Sequence, residues 1–556
     1  MKKNIQQKHN HRETSKIKET ILPLNHRRLS FLGPLFIGII GFVLIFWATG
    51  NYGVGLSGDS VGYISCARNL LENHSFTQHD GSYLLAWPPL YPVIIAFFKL
   101  CGMNDFLAAR LINAVSFGLI IFVSGLCILR YSGSLIFSVI CSVLTLLSKP
   151  LVLVCCWAWS EPLFIVLITV FLFLVPEAIK NPTFKLILLL AVVTSAACMT
   201  RYVGIVLLPV GAVVLFLGIK HFRRKLIFTF LWGVVSVLPF GIWLLRNRIL
   251  SGTAMGPRVP SSITLLENIK TAGNIIGSWF ILQNPKEFTA GGLVFALFSI
   301  FVSAILAVYI YKTIKSKEAD WLIITVLLFL ALYMTAIIYS ATSTSMDFID
   351  DRLLSPLYPA IVILMGILVI NLFGPGSNFS IIKNRSSRRI IRYGLIAGFC
   401  IGISIWVYNT GFYYTMEITK QLSQNGFGFS SSSWKDSDTI AWLKSNKLNG
   451  KIYTNETNGI YILTDINAYM LPVKSDYFKN ISQSRRKDME KQLLEFKSAL
   501  KTGESVYLVW FARHFRKYLY DPQELQQFCN MKIIKELDDG IIIALYPKEL
   551  SDSSFQ

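Results

Sequence analysis

The sequence predicts a polytopic α-helical membrane protein, with about 11 transmembrane helices, that ends in a small extracytoplasmic α/β domain. Hydrophobic residues make up 53% of the 556 residues, charged residues only 15%, and the mean hydropathy is +0.51. Apolar runs of about 18 to 22 residues recur, and each is long enough to cross a hydrocarbon core of roughly 30 Å. From about residue 414 the composition becomes that of a soluble domain.

A basic arm (1–30) precedes the first apolar run, and no small-residue cleavage site follows that run, so we expect an uncleaved anchor. The transmembrane region extends over 31–413. Its predicted spans are 31–50, 107–128, 134–153, 161–176, 185–200, 202–219, 226–245, 291–311, 320–340, 355–373 and 393–413.

The net charge of +21 reflects the placement of basic residues along the chain. With the N-terminus inside the cell, the cytoplasmic segments collect most of the lysines and arginines, as the positive-inside rule requires. Examples are Arg27, Arg28, Arg223, Arg224, Lys225, Lys315, Arg388 and Arg389. This asymmetry argues against nucleic acid as a partner. An odd number of spans places the C-terminal region outside the cell.

The cysteines offer no chemistry that we can assign. Four of the nine, Cys127, Cys141, Cys198 and Cys400, lie inside apolar spans, where cysteine behaves as a small apolar packing residue. Cys529 alone falls in the C-terminal region, so no disulfide framework is expected there.

The C-terminal region (414–556) alternates predicted helices with predicted strands. Helical periodicity covers 434–446, 455–464 and 486–500, whereas 451–454, 505–510, 531–537 and 541–546 have the pattern of strands. This alternation predicts an α/β layer domain. No glycine-rich phosphate loop follows any of the strands, which argues against a nucleotide site.

The first outer loop (51–106) carries ionisable and aromatic residues that a simple tether does not need. Asp59 and Tyr63 are four residues apart and share one face of a helix, with Arg68 about a turn further on. An ionisable group at a membrane boundary is costly to keep there, so Asp59 is a functional candidate. The aromatic residues suit the headgroup level. Together the candidate substrate-pocket residues are Tyr63, Arg68, Tyr83, Trp87 and Tyr91.

Four further charged residues lie at the predicted outer ends of spans. Glu161 follows Ser160, and either a functional carboxylate or a helix start explains this position. Arg201, Arg246 and Arg352 oppose the inside bias of positive charge. Guanidinium groups bind phosphate bidentately, so three of them in one outer cavity would bind a lipid phosphate. The alternative is snorkelling, or pairing with Asp347, Asp350 or Asp351.

These motifs, in this order, resemble the C-type (GT-C) membrane glycosyltransferase superfamily. They are the first-loop acid, Pro88-Pro89-Leu90-Tyr91-Pro92, Ser160-Glu161-Pro162 and Asp351-Arg352-Leu353-Leu354-Ser355-Pro356-Leu357-Tyr358-Pro359. The branch is that of the protein O-mannosyltransferases and bacterial aminoarabinose transferases. The C-terminal pattern around Trp434, Ser437 and Ile440 resembles the outer domain of bacterial members. A bacterial plasma membrane is therefore the expected location.

The resemblance implies transfer of a sugar from a polyprenyl-phosphate donor, with inversion, to a glycolipid, glycan or protein outside the cell. Asp59 corresponds to the first-loop acid, the catalytic base, and Glu161 to the second-loop acid. The three arginines would bind the donor phosphate. A divalent cation, Mg²⁺ or Mn²⁺, at Asp59 and Glu161 is left open, since metal use varies within the superfamily.

Two rival functions remain, together with a third possibility, an inactive scaffold that presents the outer α/β domain. A transporter or flippase for lipid-linked sugar would also be polytopic, but internal repeats with broken spans are expected of it, and we find none. A polysaccharide polymerase or ligase also uses polyprenyl-linked sugar, but its principal charged loop is expected late in the chain.

Overall fold

The computed structural model describes residues 29–280, 291–316, 320–345, 348–373, 402, 404, 407–475, 483–514 and 516–548. The chain divides into two compact units. The helical unit comprises Met1–Gly50, Leu85–Tyr91 and Leu107–Gln421, and the α/β unit comprises Asn51–Leu84, Pro92–Phe106 and Leu422–Gln556.

Helices form almost all of the regular structure up to residue 425. In chain order they are α1 (Leu32–Ala48), α2 (Gly58–Glu72), α3 (Leu90–Leu100), α4 (Asp105–Ser132), α5 (Leu135–Leu146), α6 (Lys149–Cys155), α7 (Glu161–Lys180), α8 (Phe184–Thr200), α9 (Leu207–Gly218), α10 (Phe222–Ser251), α11 (Leu265–Phe280), α12 (Gly291–Ser316), α13 (Trp321–Ser343), α14 (Asp351–Leu354), α15 (Leu357–Phe373) and α16 (Tyr413–Asn425). A 3₁₀ turn (Tyr202–Val206) precedes α9, and a π-helical turn (Val407–Phe412) precedes α16.

The protein is a multi-pass membrane protein. Among the described residues, four helices are long and apolar enough to cross a membrane: α4, α7, α10 and α13. The pair α5 and α6, bent by 57°, adds a fifth if it is one broken span. Several shorter apolar helices coincide with other predicted spans, namely α1, α8, α9, α12 and α15. The count of eleven remains a prediction. Most of the span 393–413, and nearly all of the arm 1–30, lie outside the described residues.

Glycines allow two of the membrane helices to approach closely. A Cβ on Gly38 of α1 would lie 2.7 Å from the carbonyl oxygen of Gly118 in α4, and the reverse distance is 2.8 Å. Small residues at a helix crossing permit this contact between backbones, which is a common way for helices to associate in lipid. The sequence therefore permits this helix crossing by placing a glycine, which has no Cβ, on each helix.

The short connection between α8 and the following turn is a sharp break in helical structure. Arg201 has extended backbone angles (φ −147°, ψ 138°), while its N–H still donates to the carbonyl of Ala197 at 3.0 Å. The single residue between the predicted spans 185–200 and 202–219 is thus sufficient to end one helix and start the next helical segment. The break places Arg201 between the end of α8 and the 3₁₀ turn that leads into α9.

The α/β unit contains a five-stranded mixed sheet. Its remaining elements are α17 (Ser432–Lys435), α18 (Asp438–Ser445), β1 (Lys451–Thr454), α19 (Thr457–Thr464), β2 (Tyr469–Met470), α20 (Gln483–Ala499), β3 (Val506–Phe511), α21 (Pro522–Leu525), β4 (Cys529–Leu537) and β5 (Gly540–Pro547). The strand order is β2-β1-β3-β5-β4, with β1 parallel to β2 and β3, and β5 antiparallel to β3 and β4.

The α/β prediction for the C-terminal region is confirmed, including the strands β1, β3, β4 and β5. Phe496 of α20 packs with Leu508, Leu519 and Leu525 in a hydrophobic core, where all four side chains are fully buried. The predicted helix 434–446 is in fact two helices. Ser437 interrupts it because its side chain accepts a hydrogen bond from the N–H of Ile440 and so caps α18.

Candidate active site

Glu161 is a buried carboxylate at the start of a membrane helix. Pro162 follows it, and proline is favoured in the first turn because that turn needs no N–H donor. Only 1% of the Glu161 surface is exposed. The positive end of the helix dipole favours an acid here, but burial this complete requires additional partners.

Two arginines supply those partners from distant parts of the chain. The Arg201 Nη1 lies 2.5 Å from Glu161 Oε1 and also donates to Ser160 Oγ at 3.3 Å. The Nε of Arg352 donates to the same Oε1 atom. We call Glu161, Arg201 and Arg352 the guanidinium cluster. Two of the three arginines singled out from the sequence, Arg201 and Arg352, thus contact one carboxylate. Their binding of a donor phosphate remains a prediction.

Local structure fixes the direction of Arg352. The side chain of Asp350 caps α14 by accepting a hydrogen bond from the N–H of Leu353 at 3.0 Å. The Arg352 guanidinium lies 4.4 Å from the ring centroid of Trp159, which stacks on Trp157 at 4.9 Å and 7°. A cation above an aromatic face is stabilised by the ring quadrupole. The Arg352 guanidinium is therefore held both by the Trp159 ring and by the Glu161 carboxylate.

The guanidinium cluster carries one net positive charge and has one unsatisfied acceptor. Two arginines and one carboxylate sum to +1. The Oε2 atom of Glu161 is buried and has no hydrogen-bond partner among the described residues. A buried acceptor without a partner costs free energy, so a donor group from a bound molecule or a water would stabilise it.

Arg246 lies in a neighbouring network of hydrogen bonds. Its Nη1 donates to Asn247 Oδ1 at 2.9 Å, and Asn247 Nδ2 donates to the Tyr202 hydroxyl at 3.2 Å. The guanidinium also lies 4.5 Å from the Trp243 ring centroid. Since Tyr202 follows Arg201 in the chain, this network and the guanidinium cluster share one backbone segment. No described contact joins Arg246 to Glu161.

Sequence reasoning missed several residues around these arginines. Lys149 lies 3.4 Å from Asp351, whose Oδ1 accepts a 2.7 Å hydrogen bond from Trp279 Nε1. Tyr202 donates to the carbonyl of Leu85 at 2.7 Å. The signal for Lys149 was a lone cation next to Pro150 inside the predicted span 134–153, but it gave no indication of a partner 202 positions away.

The first-loop candidates are divided between the two units. Asp59, Tyr63, Arg68 and Tyr83 belong to the α/β unit, whereas Trp87 and Tyr91 belong to the helical unit. Asp59 is half-buried in the first turn of α2. The predicted spacing of Asp59 and Tyr63 on one helix is therefore correct. Their convergence with the arginines remains a prediction.

Burial distinguishes the aromatic candidates from one another. Tyr63 and Tyr91 are fully buried, Trp87 is half-buried, and Tyr83 is 44% exposed. Of these four, Tyr83 is thus the ring most accessible to a substrate. The predicted role of all four in a substrate pocket remains a prediction.

Arg68 makes two ion pairs within the α/β unit. Its Nε lies 2.6 Å from Asp105 and its Nη1 lies 2.7 Å from Asp465. Burial would lower the pKa of this arginine, but the hydrogen bond and charge of Asp105 outweigh it and raise the pKa. Arg68 thus links α2 to the start of α4 and to the end of α19, in addition to any contact with substrate.

The residues around Glu161 do not fit a divalent cation. Glu161 Oε1 accepts from two guanidinium groups. Oε2 has no hydrogen-bond partner in the described part of the chain, but a cation bound to it would be repelled by the charges of both arginines. Within the described ranges, no group of three or more His, Cys, Asp or Glu side chains is arranged to hold a metal ion.

Comparison with solved structures identifies known proteins that share the fold of this chain. The structures of ArnT from Cupriavidus metallidurans, in the apo state and bound to undecaprenyl phosphate, match 92% of this chain and 97% of theirs, with 12% identity and a TM-score of 0.55. The oligosaccharyltransferase AglB from Archaeoglobus fulgidus, solved with an inhibitory peptide and a dolichol-phosphate, matches 86% of this chain and 69% of its own, with 12% identity and a TM-score of 0.48.

No protein-family model matches the sequence, and no curated protein matches it at a significant level. The resemblance that the sequence motifs indicated is nevertheless confirmed at the level of fold, since the chain shares the fold of the ArnT structures.

Proposed function

Because the chain has the GT-C fold, we propose that it is a membrane glycosyltransferase that moves a sugar from a polyprenyl-phosphate donor to an acceptor outside the cell. The observation that carries this proposal is the guanidinium cluster, in which Arg201 and Arg352 share one buried carboxylate. An ArnT structure with the same fold contains undecaprenyl phosphate. A lipid phosphate is an anion that preorganised guanidinium groups bind well.

In the proposed reaction, an acceptor hydroxyl oxygen attacks the anomeric carbon of the donor. The bond from that carbon to the phosphate oxygen breaks, its electron pair stays on the phosphate, and the configuration inverts. The acceptor proton passes to the Asp59 carboxylate, and general-base catalysis of this kind contributes about 10²–10⁴-fold.

The arginines stabilise the charge that develops on the leaving phosphate. Donors fixed in advance cost no reorganisation during the reaction, which is why such sites lower the barrier effectively. Arg201 and Arg352 are fixed by Glu161, and Arg246 is fixed by Asn247 and Trp243. We therefore assign Glu161 a positioning role rather than proton transfer, since its Oε1 is occupied by both guanidinium groups.

The test incubates purified chain in lipid nanodiscs with radiolabelled polyprenyl-phosphate sugars (mannose, glucose, a pentose and an aminosugar) and a membrane extract as the acceptor source. Label transferred to an acceptor supports the proposal. Repeated addition of sugar to one growing chain would favour a polymerase, and movement of the lipid across the bilayer without reaction would favour a transporter.

Asp59→Asn should abolish this transfer while the protein remains folded in the membrane, since the amide cannot accept the proton. The transfer rate and the thermal unfolding curve are measured together. Retained transfer by the folded variant would disprove the role of Asp59 as the base.

A further inference from the structure

The sheet of the α/β unit has a topological switch point. Strand β1 lies between β2 and β3 and is parallel to both. The chain leaves β1 through α19 towards β2 and returns through α20 to β3, on the other side of β1. In open sheets of this kind, ligands bind in the crevice outside the carboxyl ends of the strands at this point.

Polar residues lie at the carboxyl ends of both strands. Asn455 follows β1, and its side chain connects the two strands: Nδ2 donates to the carbonyls of Phe511 and His514 at 2.9 and 3.0 Å, and Oδ1 accepts from the N–H of Phe511 at 3.0 Å. Asn455 is therefore fully used in holding the strand ends together, and its role is structural.

Glu456, the next residue, is different. One carboxylate oxygen, Oε2, accepts from Arg516, which follows β3. The other, Oε1, is buried and has no hydrogen-bond partner among the described residues. Only 3% of the residue surface is exposed. Its side chain does not cap α19, although it occupies the N-cap position.

A second buried polar atom without a hydrogen-bond partner in the described part of the chain lies near the same helix turn. His79 stacks on Tyr461 at 4.4 Å, and its Nε2 lies 3.2 Å from Asn458 Oδ1. Its Nδ1 is the atom without a partner. Asn458 also lies close to α2: its Nδ2 would be 3.2 Å from a Cβ built on Gly58, the residue before Asp59.

The charges select the chemistry of a ligand at this place. Arg516 already neutralises Glu456, so no net negative charge calls for a cation. The carboxylate at the start of α19 would repel a phosphate, and no glycine-rich loop follows β1. A neutral group that donates a hydrogen bond, such as a sugar hydroxyl, satisfies Glu456 Oε1 without adding charge.

We propose that the crevice formed by Asn455, Glu456 and Arg516 binds a neutral, hydroxyl-rich ligand, and that this ligand is part of the sugar acceptor. The second half rests on the proposed function, because it depends on Asp59 as the base. The first half stands on the strand topology and on the unsatisfied oxygen of Glu456. The C-terminal sheet then contributes to acceptor binding beside the helix that carries Asp59.

Binding is tested on the full chain in nanodiscs, without donor lipid, by saturation-transfer NMR. The probes are methyl α-mannoside, methyl α-glucoside and N-acetylglucosamine, with methylammonium and methyl phosphate, whose methyl protons report binding, as charged rivals. We expect at least one sugar to bind, and Glu456→Gln to reduce that binding fivefold or more, because a hydrogen bond to a charged acceptor is lost.

The matched control is Glu524→Gln. It removes another ion pair of the same unit, with Lys474 at 2.6 Å, and should leave sugar binding unchanged. If Glu456→Gln does not fold, His79→Phe decides the question, since it keeps a ring on Tyr461 and removes both Nδ1 and the Nε2 that contacts Asn458. We expect that variant to bind sugar at least twofold more weakly.

The proposal is overturned if no sugar binds, if a charged rival binds in place of the sugars, or if the deciding variant binds like the wild type. Failure of the proposed function is seen separately, because binding needs neither donor nor Asp59. In an active enzyme, Glu456→Gln should raise KM for the acceptor and leave KM for the donor unchanged.

Discussion

At the scale of single residues, Glu161 organises side chains that are far apart in the sequence. Arg352 is 191 positions away, yet its guanidinium and that of Arg201 contact the same oxygen atom. Removing one partner from a buried ion pair leaves an uncompensated charge and costs about 3–5 kcal/mol. Removing the carboxylate instead leaves two guanidinium groups that repel each other.

We therefore predict that Glu161→Gln raises KM for the donor lipid about tenfold, which corresponds to ~1.4 kcal/mol, because the arginines separate. Donor titration in the transfer assay measures this. The control is Glu177→Gln, which removes the exposed ion pair with Arg130 and should cost little. An unchanged donor KM in Glu161→Gln would contradict the positioning role.

At the scale of elements, a capping box sets the start of the helix that carries Asp59. Ser57 Oγ accepts from the N–H of Ser60 at 3.4 Å, and Ser60 Oγ accepts from the N–H of Ser57 at 3.0 Å. These bonds satisfy helix-start donors that would otherwise lack partners. Because Asp59 lies between the two serines, the geometry of the cap also sets its position.

Ser57→Ala should destabilise the start of α2 by about 0.5–2 kcal/mol. Amide hydrogen exchange at 58–62 should become faster, and sugar transfer should slow. Thr183→Ala, which removes the cap of α8, serves as the comparison and should accelerate exchange only in that helix. Exchange rates at 58–62 equal to those of the wild type would show that the box does not stabilise α2.

Hydrogen bonds between Asp539 and the start of α18 make the stability of the α/β unit sensitive to acid. The Asp539 carboxylate accepts hydrogen bonds from the N–H and Oγ1 of Thr439 at 3.0 and 2.7 Å, and from Ser437. Burial raises the pKa of Asp539, but these hydrogen bonds outweigh it and lower the pKa. A lowered folded-state pKa stabilises the fold above the unfolded value and loses that contribution as pH falls through the folded value.

Accordingly, the free energy of unfolding of this unit should fall once the pH drops below the ordinary aspartate value of about 3.9. Asp539→Asn should be less stable at neutral pH and should lack this component of the pH dependence. Hydrogen exchange of β5 amides across the acid range measures both. The same pH profile in wild type and variant would rule out this contribution.

At the scale of the whole molecule, the chain is a membrane protein whose helices present apolar side chains outwards. Helix α10 shows this clearly, since only 22% of its most apolar 18-residue stretch is buried. Outward residues such as Phe230 and Ile249 are each 74% exposed. Because lipid tails are as apolar as these side chains, helix association relies on close packing and on internal polar contacts.

The charge asymmetry of the loops predicts the orientation of the whole chain, with the C-terminal unit outside the cell. A fusion of alkaline phosphatase to the C-terminus should therefore be active, and a fusion of green fluorescent protein at the same position should be dark. A fluorescent fusion would show that the C-terminus lies inside the cell, and it would contradict the prediction of an active site that faces outwards.

The sequence by itself determined the class, the membrane helices, the α/β alternation and the identity of the charged candidates. Hydropathy, turn residues and strand patterns act over short stretches of chain, so they are readable without coordinates. Only the tertiary structure decided that Arg201 and Arg352 share Glu161, and that Glu456 keeps one oxygen unsatisfied. Such contacts join residues separated by tens to hundreds of positions, and nothing in local periodicity encodes which distant charges will meet.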